Sequence, residues 1–502
     1  MKIQQFLEHH GIAENPFAEE DAQTDHVFKD HCITSTFHPT WDKVFGNPAE
    51  PATAVVFGEK GSGKTAMRLQ IARHLEAFNR SQPERRAFVI HYDDLNPFLD
   101  RFCDRLGSRQ RRRPDRALAQ WKLWDHMDAI LALGVTQLVD GILAPKDDDT
   151  PDVAAVHRED FEQLLRHEAR DLLLLAACYD QSTAETFYGR WQQLRKRLRF
   201  GTLAARWPFL LGCAWSAIGL LAVAALFAHG HGDLLRPLWL YLLLIIGGWI
   251  PWVWQLWNRH WLARSILRHQ RVGNRDTSSL RRALQHILPS ELSGQPLPNK
   301  DRTDDRYELL LKFQALLRRL KFSGVLVLVD RLDEPHLING SAELMKAVLW
   351  PLLDNKFLKH PGLGLKLMLP MELTRYIERE ERPFYERARL DKQNLIPSFA
   401  WSGEALFDVA SSRLQACALE GHQPALRELF DASLSEQRLI ETFRTLRVPR
   451  HLFKFLYRLL VAHCNAHTTQ EPNWHISREL FDSTLAVHLR DQEAFDRGLG
   501  AG

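Results

Sequence analysis

The sequence predicts an α/β fold in which a doubly wound, mainly parallel sheet is interrupted by an α-helical insertion and followed by a C-terminal helical lid. Three observations predict it. A short apolar run leads into the glycine-rich octapeptide at 58–65 (GEKGSGKT). A second apolar run, 324–329, ends at an acidic residue, Asp330. Between the two lie two long uncharged stretches, 207–228 and 237–257.

Composition limits the classes of protein that fit. The 502 residues include 65 Lys and Arg against 62 Asp and Glu, a formal net charge of +3. A protein that coats nucleic acid needs a large positive excess, so nucleic acid is not expected as a partner. The 6 cysteines are scattered without a C-x-x-C pair. Neither a disulfide framework nor a structural zinc site is therefore expected.

The first elements are a strand and a helix around the glycine-rich motif. Residues 52–57 (ATAVVF) predict a buried strand, and 66–75 predict a helix. Glycines let backbone N–H groups turn toward a phosphate, and the helix N-terminus favours negative charge. The motif is therefore interpreted as the Walker A loop of a P-loop NTPase. Its expected nucleotide-binding residues are Gly58, Glu59, Lys60, Gly61, Ser62, Gly63, Lys64, Thr65 and Ala66.

The chemistry of such a loop assigns roles to individual residues. Lys64 is expected to neutralise the β- and γ-phosphate oxygens, and the Thr65 hydroxyl to bind Mg²⁺. Asp330, directly after a strand predicted at 324–329, is the Walker B candidate that holds Mg²⁺ through water. Many ATPases place a catalytic Glu next; here that position is Arg331. Asp333 and Glu334 follow, and either can polarise the attacking water.

The predicted nucleotide is ATP. A GTPase is expected to show D-x-x-G and N-K-x-D motifs. The chain has Asp-Arg-Leu-Asp at 330–333 and Asn-Lys-Phe-Leu at 355–358, so both signatures are incomplete. ATP and Mg²⁺ are the expected cofactors, and hydrolysis to ADP and phosphate is the expected reaction.

Three further apolar runs predict strands at 87–92, 364–371 and 394–401. Helical patterns separate the later ones, at 343–352 and 405–417, which favours a parallel sheet. Asp93, Asp330 and Glu372 end three of the strands. Ligands bind at the carboxyl edge of such sheets, so these acids are expected beside the phosphate loop.

The two uncharged stretches predict a membrane hairpin. Either is long enough to cross the roughly 30 Å hydrocarbon core as a helix. Of the 15 tryptophans, 9 lie between Trp191 and Trp261, as an interfacial belt requires. A buried soluble hairpin is the alternative. His229 and His231 between the spans read as a polar turn, although they can also bind a metal. The basic flanking residues are Arg195, Lys196, Arg197, Arg199, Arg206, Arg259, Arg264, Arg268 and Arg271.

These flanks place both termini in the cytoplasm by the positive-inside rule. The chain is therefore expected to be a two-helix integral membrane protein, of a bacterial inner membrane, with the lipid bilayer as a partner. Helical patterns at 117–143 and 160–179 precede the hairpin. An Arg-rich turn at 109–113 comes before them and is interpreted as a solvated loop. Binding of anionic lipid or of nucleic acid by this turn is the alternative. The expected segments are 1–105 and 306–402 (ATPase domain), 106–305 (helical insertion) and 403–502 (lid).

The lid is predicted from helical patterns at 425–434, 436–446, 451–464 and 477–489. Arg450, after Pro449, can reach a bound nucleotide from this lid or be an exposed residue at a helix start. Arg387 and Arg389 are candidate arginine fingers for a neighbouring subunit of a homo-oligomer, or ordinary surface arginines.

Together, GEKGSGKT, the run VLVLVDRLDE and the membrane helices between them resemble the KAP-type P-loop ATPases and, more broadly, the AAA+ and STAND groups. Three shorter segments are also similar to parts of such ATPases: Asn15-Pro16-Phe17 before the loop, LPMEL at a sensor-1 strand, and Val448-Pro449-Arg450 at a sensor-2 lid. The resemblance covers about residues 15–100 and 305–465. KAP members usually carry an Asp-Asp-Leu-Asp-Arg motif where this chain has DRLDE.

Two functions follow as expectations. The leading one is a cytoplasm-facing ATPase that couples ATP binding and hydrolysis to conformational change or assembly at the membrane. The alternative is a slow or non-hydrolysing ATP-dependent switch or scaffold in signalling or defence, which Arg331 favours. Primary transport is disfavoured, because two uncharged helices do not form a pore in one copy.

Overall fold

A five-stranded parallel sheet organises the fold. The computed structural model describes residues 1–107, 113–143, 156, 158–183, 186–228 and 245–496. The strands are β1 (Ala54–Gly58), β2 (Arg86–Tyr92), β3 (Phe322–Val329), β4 (Leu363–Pro370) and β5 (Asn394–Ile396). Their order is β2-β3-β4-β1-β5. The predicted α/β fold with a parallel sheet is therefore confirmed, although β5 ends at Ile396 instead of Trp401.

The centre of the sheet is formed by β1 and β4. Every residue of both strands is buried, which fits their nearly continuous apolar sequences. Val55 of β1 lies beside Leu367 of β4 on one side and Leu395 of β5 on the other. Because the strands are parallel, the loops that follow β1, β3 and β4 leave the same edge of the sheet.

Helices account for most of the remaining described chain. They are α1 (Ile3–His9), α2 (Trp41–Phe45), α3 (Lys64–Ser81), α4 (Asn96–Asp104), α5 (Pro114–Leu118), α6 (Leu123–Leu143), α7 (Arg158–Glu162), α8 (Arg166–Tyr179), α9 (Phe187–Arg197), α10 (Trp207–Ala228), α11 (Ile250–His269), α12 (Thr277–Leu284), α13 (Pro289–Leu292), α14 (Thr303–Arg319), α15 (Ala342–Leu349), α16 (Asn355–Leu358), α17 (Thr374–Glu378), α18 (Arg382–Ala388), α19 (Gly403–Ala416), α20 (Glu436–Leu446), α21 (Pro449–Ala466) and α22 (Arg478–Asp496). Short 3₁₀ or π turns lie at Phe28–Cys32, Leu203–Arg206, Met371–Leu373, Leu390–Lys392 and Leu426–Leu429.

The chain folds into two compact units. The first contains 1–83, 91–94 and 326–502, and the second contains 84–90 and 95–325. The first unit therefore includes both the glycine-rich loop and the helices α19 to α22 predicted as a lid. The second contains the helices that lie between β2 and β3 in the sequence.

In the first unit, the C-terminal helices pack against the N-terminal segment around one apolar core. The Asn15 side chain accepts a hydrogen bond from the Phe17 N–H (3.0 Å), and the Pro16 carbonyl accepts one from Arg413 Nε (2.7 Å). Arg413 also forms a buried ion pair with Asp25 (2.5 Å). The helix predicted at 425–434 is wrong: only the 3₁₀ turn Leu426–Leu429 forms there.

Two helices among the described residues are long and apolar enough to cross a membrane, α6 and the Trp207–Leu226 part of α10. The apolar window of α6 is 67% buried, as in a core helix, whereas that of α10 is only 6% buried. The first predicted span, 207–228, therefore coincides with an exposed apolar helix.

The second predicted span, 237–257, differs from the structure. Residues 237–244, like His229 and His231 of the predicted turn, lie outside the described residues. The helix α11 begins at Ile250 and continues past Trp257 to His269, so it is longer than the part of the predicted span that it contains; the span itself stays a prediction. Where described, the two apolar segments touch: Trp249 Nε1 donates to Ser216 Oγ (2.9 Å).

The basic flank after the second stretch is only partly at the surface. Arg259 is buried and donates to the Ile287 carbonyl (2.9 Å). Arg271 is bound to the buried Asp125 carboxylate. Arg264 and Arg268 remain exposed. Two of the four arginines expected to mark the cytoplasmic face therefore bind other parts of the second unit: Arg259 from α11 itself, and Arg271 from the turn that follows it.

Candidate nucleotide-binding site

The glycine-rich loop, residues 58–65, connects β1 to α3. Gly61 (φ +85°) and Gly63 (φ +91°) adopt the left-handed backbone region, which side chains disfavour. A Cβ at Gly61 would also lie 2.6 Å from Cβ of Arg450. The sequence thus places glycine where the turn needs it, and the turn leads directly into the N-terminus of α3 at Lys64.

Lys64 lies inside this loop. Its Nζ donates hydrogen bonds to the carbonyls of Gly58 (2.8 Å) and Glu59 (2.9 Å). Burial lowers the pKa of Lys64, while the nearby carboxylates of Asp330 and Asp333 oppose the shift. The lysine therefore brings a cation to the loop and holds the loop closed around its own ammonium group.

Thr65 and Asp330 meet, although 265 positions separate them in the sequence. The Thr65 hydroxyl donates to Asp330 Oδ2 at 2.8 Å. Asp330 is 2% exposed and follows the last residue of β3. Burial raises the pKa of Asp330, and the Thr65 hydrogen bond and Arg68 act against that shift. The two predicted metal ligands therefore lie side by side at the carboxyl edge of the sheet.

Arg68 is a member of the site that sequence reasoning missed. It lies one turn after Lys64 on α3, and its side chain is 4% exposed. Its guanidinium contacts Asp330 Oδ2 (Nε, 3.3 Å) and Asp93 Oδ2 (Nη1, 2.5 Å). Asp93, expected at this edge, thus joins the site through Arg68. The four-residue spacing from Lys64 puts both cations on one face of α3, a signal that could have identified it.

The two candidate catalytic acids differ in their contacts. Glu334 pairs with Arg331 (Oε2 to Nε, 2.6 Å), and Arg331 Nη1 also donates to Gln23 Oε1 (2.9 Å). Arg331 adopts a left-handed backbone (φ +58°), which turns the chain sharply after Asp330. The backbone carbonyl of Asp333 accepts a hydrogen bond from the Gly340 N–H (2.9 Å). Because Glu334 is engaged by Arg331, Asp333 is the better-placed base.

A cavity of about 380 Å³ joins these groups. This volume falls in the usual range for small-ligand sites, about 300–1,000 Å³. The predicted residues on its wall are Lys60, Gly61, Gly63, Lys64, Thr65, Ala66, Asp330, Asp333, Glu334, Glu372 and Arg450. Gly58, Glu59 and Ser62 are not on the wall; they form the back of the loop. The predicted site residues are thus mostly brought together.

An aromatic group that sequence reasoning missed forms another part of the wall: His38, Phe399 and Trp401. His38 stacks on Phe399 with ring centres 3.8 Å apart. Its Nδ1 accepts from the Thr40 N–H (3.1 Å), so Nε2 carries the proton and donates to the Ala400 carbonyl (2.9 Å). Burial lowers the pKa of His38 to about 4. No motif marks such residues, because only the fold brings them to the loop.

The same aromatic group braces the loop. Trp401 Nε1 donates to the Ser62 carbonyl at 2.8 Å, and the Phe399 N–H donates to the Phe57 carbonyl at 2.7 Å. The Ser62 hydroxyl is buried and makes no hydrogen bond among the described residues.

Arg450 reaches the loop from α21. Its N–H donates to the Gly61 carbonyl (3.3 Å), and its buried Nε has no hydrogen-bond partner within the described part of the chain. Arg447 pairs with Glu59 on the outer side of the loop. The reading of Arg450 as an exposed residue at a helix start is therefore wrong, since it lines the cavity.

Arg387 and Arg389 lie away from this cavity. Arg387 donates weakly to the Trp350 carbonyl (3.4 Å), and Arg389 pairs with Asp391 (3.2 Å). The structure places neither beside the loop of its own chain. An action on a neighbouring subunit stays a prediction.

Comparisons of the chain with protein-family models, curated proteins and solved structures gave no match. The resemblance to KAP-type ATPases therefore stays a prediction from the motifs. In the described ranges, no three His, Cys, Asp or Glu side chains come together as a metal site. Thr65 and Asp330 offer two adjacent oxygens to a cation, whose other ligands would be water or ligand oxygens.

Proposed function

We propose that the protein is a membrane-anchored P-loop ATPase whose site faces the cytoplasm. One observation carries the proposal: the Thr65 hydroxyl lies 2.8 Å from Asp330, beside a glycine loop that surrounds Lys64. A hydroxyl and a carboxylate next to a phosphate cradle are the parts that Mg²⁺-nucleotide binding requires. ATP hydrolysis would then drive conformational change or assembly at the membrane.

The donor set of this site fits the group that it would hold. Mg²⁺ prefers oxygen ligands and usually keeps waters and phosphate oxygens, so two protein oxygens suffice. Thr65 and Asp330 would hold it, and Lys64 and Arg450 would face the phosphates. Arg450 lines the cavity, and its buried Nε adds a donor without a partner among the described residues. When bound, the metal would neutralise part of the negative charge of the phosphates.

The first test is ATP binding by calorimetry with the detergent-solubilised protein. Lys64→Ala is expected to weaken binding at least about thirtyfold, since loss of one buried charge from a charge pair costs roughly 2–5 kcal/mol. Lys29→Ala, at an exposed position on the same unit, is the matched control and should bind as wild type. Equal affinity of Lys64→Ala and wild type, or steady phosphate release by Lys64→Ala, contradicts the proposal.

A second candidate function is an ATP-dependent switch or scaffold that turns over slowly. The pairing of Glu334 with Arg331 at 2.6 Å favours it, because a carboxylate held by a guanidinium is a poorer base. Single-turnover hydrolysis separates the two functions. Loss of about a hundredfold or more in Asp333→Asn, with little change in Glu334→Gln, supports a working ATPase that uses Asp333. Slow hydrolysis that neither substitution alters supports the switch.

The membrane anchor is proposed from the exposure of α10. Only 6% of the apolar window of this 20-residue segment is buried, whereas soluble proteins rarely expose large contiguous apolar patches. The basic residues before α10 favour a cytoplasmic position for the segment that precedes it. With the second span expected from the sequence, 237–257, both termini would be cytoplasmic.

A further inference from the structure

A second cavity, of about 240 Å³, lies in the second unit close to the start of α10. Arg166, Arg197 and Arg199 line it together with the Phe200 ring. Glu162 is the acidic side chain among the lining residues. The nucleotide chemistry of the first unit uses none of these residues.

The arginines are arranged around the aromatic ring. The Arg166 guanidinium lies over Phe200, 4.5 Å from the ring centre. Arg197 donates only weakly, to the Leu143 carbonyl at 3.4 Å. The stacking fixes the plane of one guanidinium, and planar guanidinium groups bind phosphate oxygens in pairs.

The backbone turns sharply to bring Arg199 to this cavity. Arg199 follows the end of α9 and adopts a left-handed conformation, φ +50°. The turn is closed by hydrogen bonds from the Arg199 N–H to the Lys196 carbonyl and from the Phe200 N–H to the Arg195 carbonyl, both 3.1 Å. A bulky residue with positive φ costs of order 1 kcal/mol or more, and such strain concentrates at functional sites.

The two arginines differ in how firmly carboxylates hold them. Arg199 lies 3.6 Å from Glu162, and its side chain is 77% exposed. An exposed ion pair of this kind contributes roughly 0–1 kcal/mol, so an anion can compete for the Arg199 guanidinium. Arg166 bonds Glu291, whose side chain is only 18% exposed, at 2.8 Å, and this firmer pair orients the Arg166 guanidinium.

The position of the cavity indicates which anion. Only the 3₁₀ turn Leu203–Arg206 separates Phe200 from α10. Trp207, at the first position of α10, is exposed, as an interfacial residue of a membrane helix is. Basic pockets on the cytoplasmic side of membrane helices bind lipid headgroups. We propose that this cavity binds the phosphate headgroup of an anionic phospholipid, a proposal that rests on the membrane anchoring proposed above.

The test is native mass spectrometry of the full-length protein in a neutral detergent, titrated with phosphatidylglycerol or phosphatidylcholine. One phosphatidylglycerol is expected to be retained in preference to phosphatidylcholine. The double variant Arg197→Gln, Arg199→Gln should bind it roughly 25-fold more weakly, at about a factor of five for each arginine. The double variant Arg264→Gln, Arg268→Gln removes the same charge from exposed positions of α11 and should change affinity less than twofold.

Equal retention of both lipids by the wild type overturns the proposal without any variant. Equal loss in the two double variants does so as well, because the attraction is then general charge. Displacement of the lipid by inorganic phosphate at similar concentration assigns the cavity to a soluble phosphate compound instead. Alkaline carbonate washing of membranes separates the two proposals: release of the chain contradicts the anchor, whereas retention without lipid preference contradicts only the headgroup site.

Discussion

Arg68 connects three parts of the nucleotide site that the sequence keeps far apart. It reaches from α3 to Asp93 after β2 and to Asp330 after β3. The motif at 58–65 has a fixed spacing, so its residues could be predicted without a structure. The roles of Arg68, His38 and Trp401 could not be predicted in this way. Their partners lie on segments that are distant in the sequence, and no local sequence pattern indicates which segments pack together.

Arg68→Met should destabilise the protein by about 3–5 kcal/mol, because the buried Asp330 carboxylate loses its guanidinium partner. Thermal unfolding in detergent measures the effect. Under the proposed function, Mg²⁺-ATP brings a replacement cation and should raise the melting temperature of the variant more than that of wild type. Arg73→Met, on the same helix but with an exposed Glu76 pair, is the control and should stay within about 0.5 kcal/mol. An unchanged melting temperature for Arg68→Met would show that the two ion pairs contribute nothing.

His38 makes stability depend on pH. Its pKa is about 4 in the folded protein, against about 6.5 when unfolded. The folded state therefore resists protonation, and this contribution is present above pH 6.5 and lost as the pH falls toward 4. Between pH 7.5 and pH 5 the loss amounts to about 2 kcal/mol.

His38→Gln should make that decrease smaller by the same amount in unfolding experiments at the two pH values. The variant keeps a polar side chain at the position. His422→Gln, at an exposed position, should leave the decrease unchanged. An identical decrease in wild type and His38→Gln is the opposing result.

Among the elements, those with a strong local pattern were predictable. The five strands and the helices at 436–446 and 451–464 follow from apolar runs and periodicity, and the structure contains them. The failures have causes in tertiary packing. Leu426–Leu429 forms only one turn, and its apolar side chains are buried in the core of the first unit without a longer helix. Arg259 and Arg271 were interpreted as surface charges, whereas they bind the Ile287 carbonyl and Asp125 within the second unit.

The contact between the two apolar segments rests on small residues. A Cβ at Gly248 would overlap the Trp215 ring, and one at Gly212 would lie 3.0 Å from the Trp249 ring. Close approach through glycine is usual for helices in lipid. Gly248→Val should therefore destabilise the protein by about 1–3 kcal/mol, as overpacking does.

Gly247→Val is the matched control, since a Cβ there meets nothing within 4 Å. Thermal unfolding of the two purified variants in the same detergent compares neighbouring positions with the same side chain. Equal melting temperatures would mean that the two segments do not pack as described.

At the scale of the whole molecule, one cysteine reports on the anchor. Cys213 on α10 is exposed, while the other cysteines, Cys32, Cys103, Cys178, Cys417 and Cys464, are buried. If α10 is inserted as proposed, a charged maleimide should not label Cys213 in intact membranes, because the charged reagent does not enter the hydrocarbon core. If α10 were exposed to water instead, the Cys213 thiol would react with the maleimide.

The experiment treats isolated membranes with the charged maleimide and measures the labelled fraction of the protein from its increase in mass. A cysteine introduced by Gln423→Cys, an exposed position of the first unit, should be labelled fully under the same conditions. The Cys213→Ser variant gives the background. Labelling of Cys213 at the rate of the introduced cysteine contradicts insertion of α10 into the bilayer.

The pairing of β1 has a consequence for biosynthesis. This strand pairs with β4 and β5, and Ala54 lies beside Lys366 and Asn394. In the sequence, α10 lies after β1 and before both of its partner strands. Ribosomes add roughly 5–20 residues per second, so β5 emerges on the order of ten seconds or more after α10. An apolar helix exposed on a nascent chain is available for insertion throughout that interval. Under the proposed function, the chain would therefore be inserted into the membrane before its candidate nucleotide site is assembled, and nascent molecules would bind ATP only after insertion.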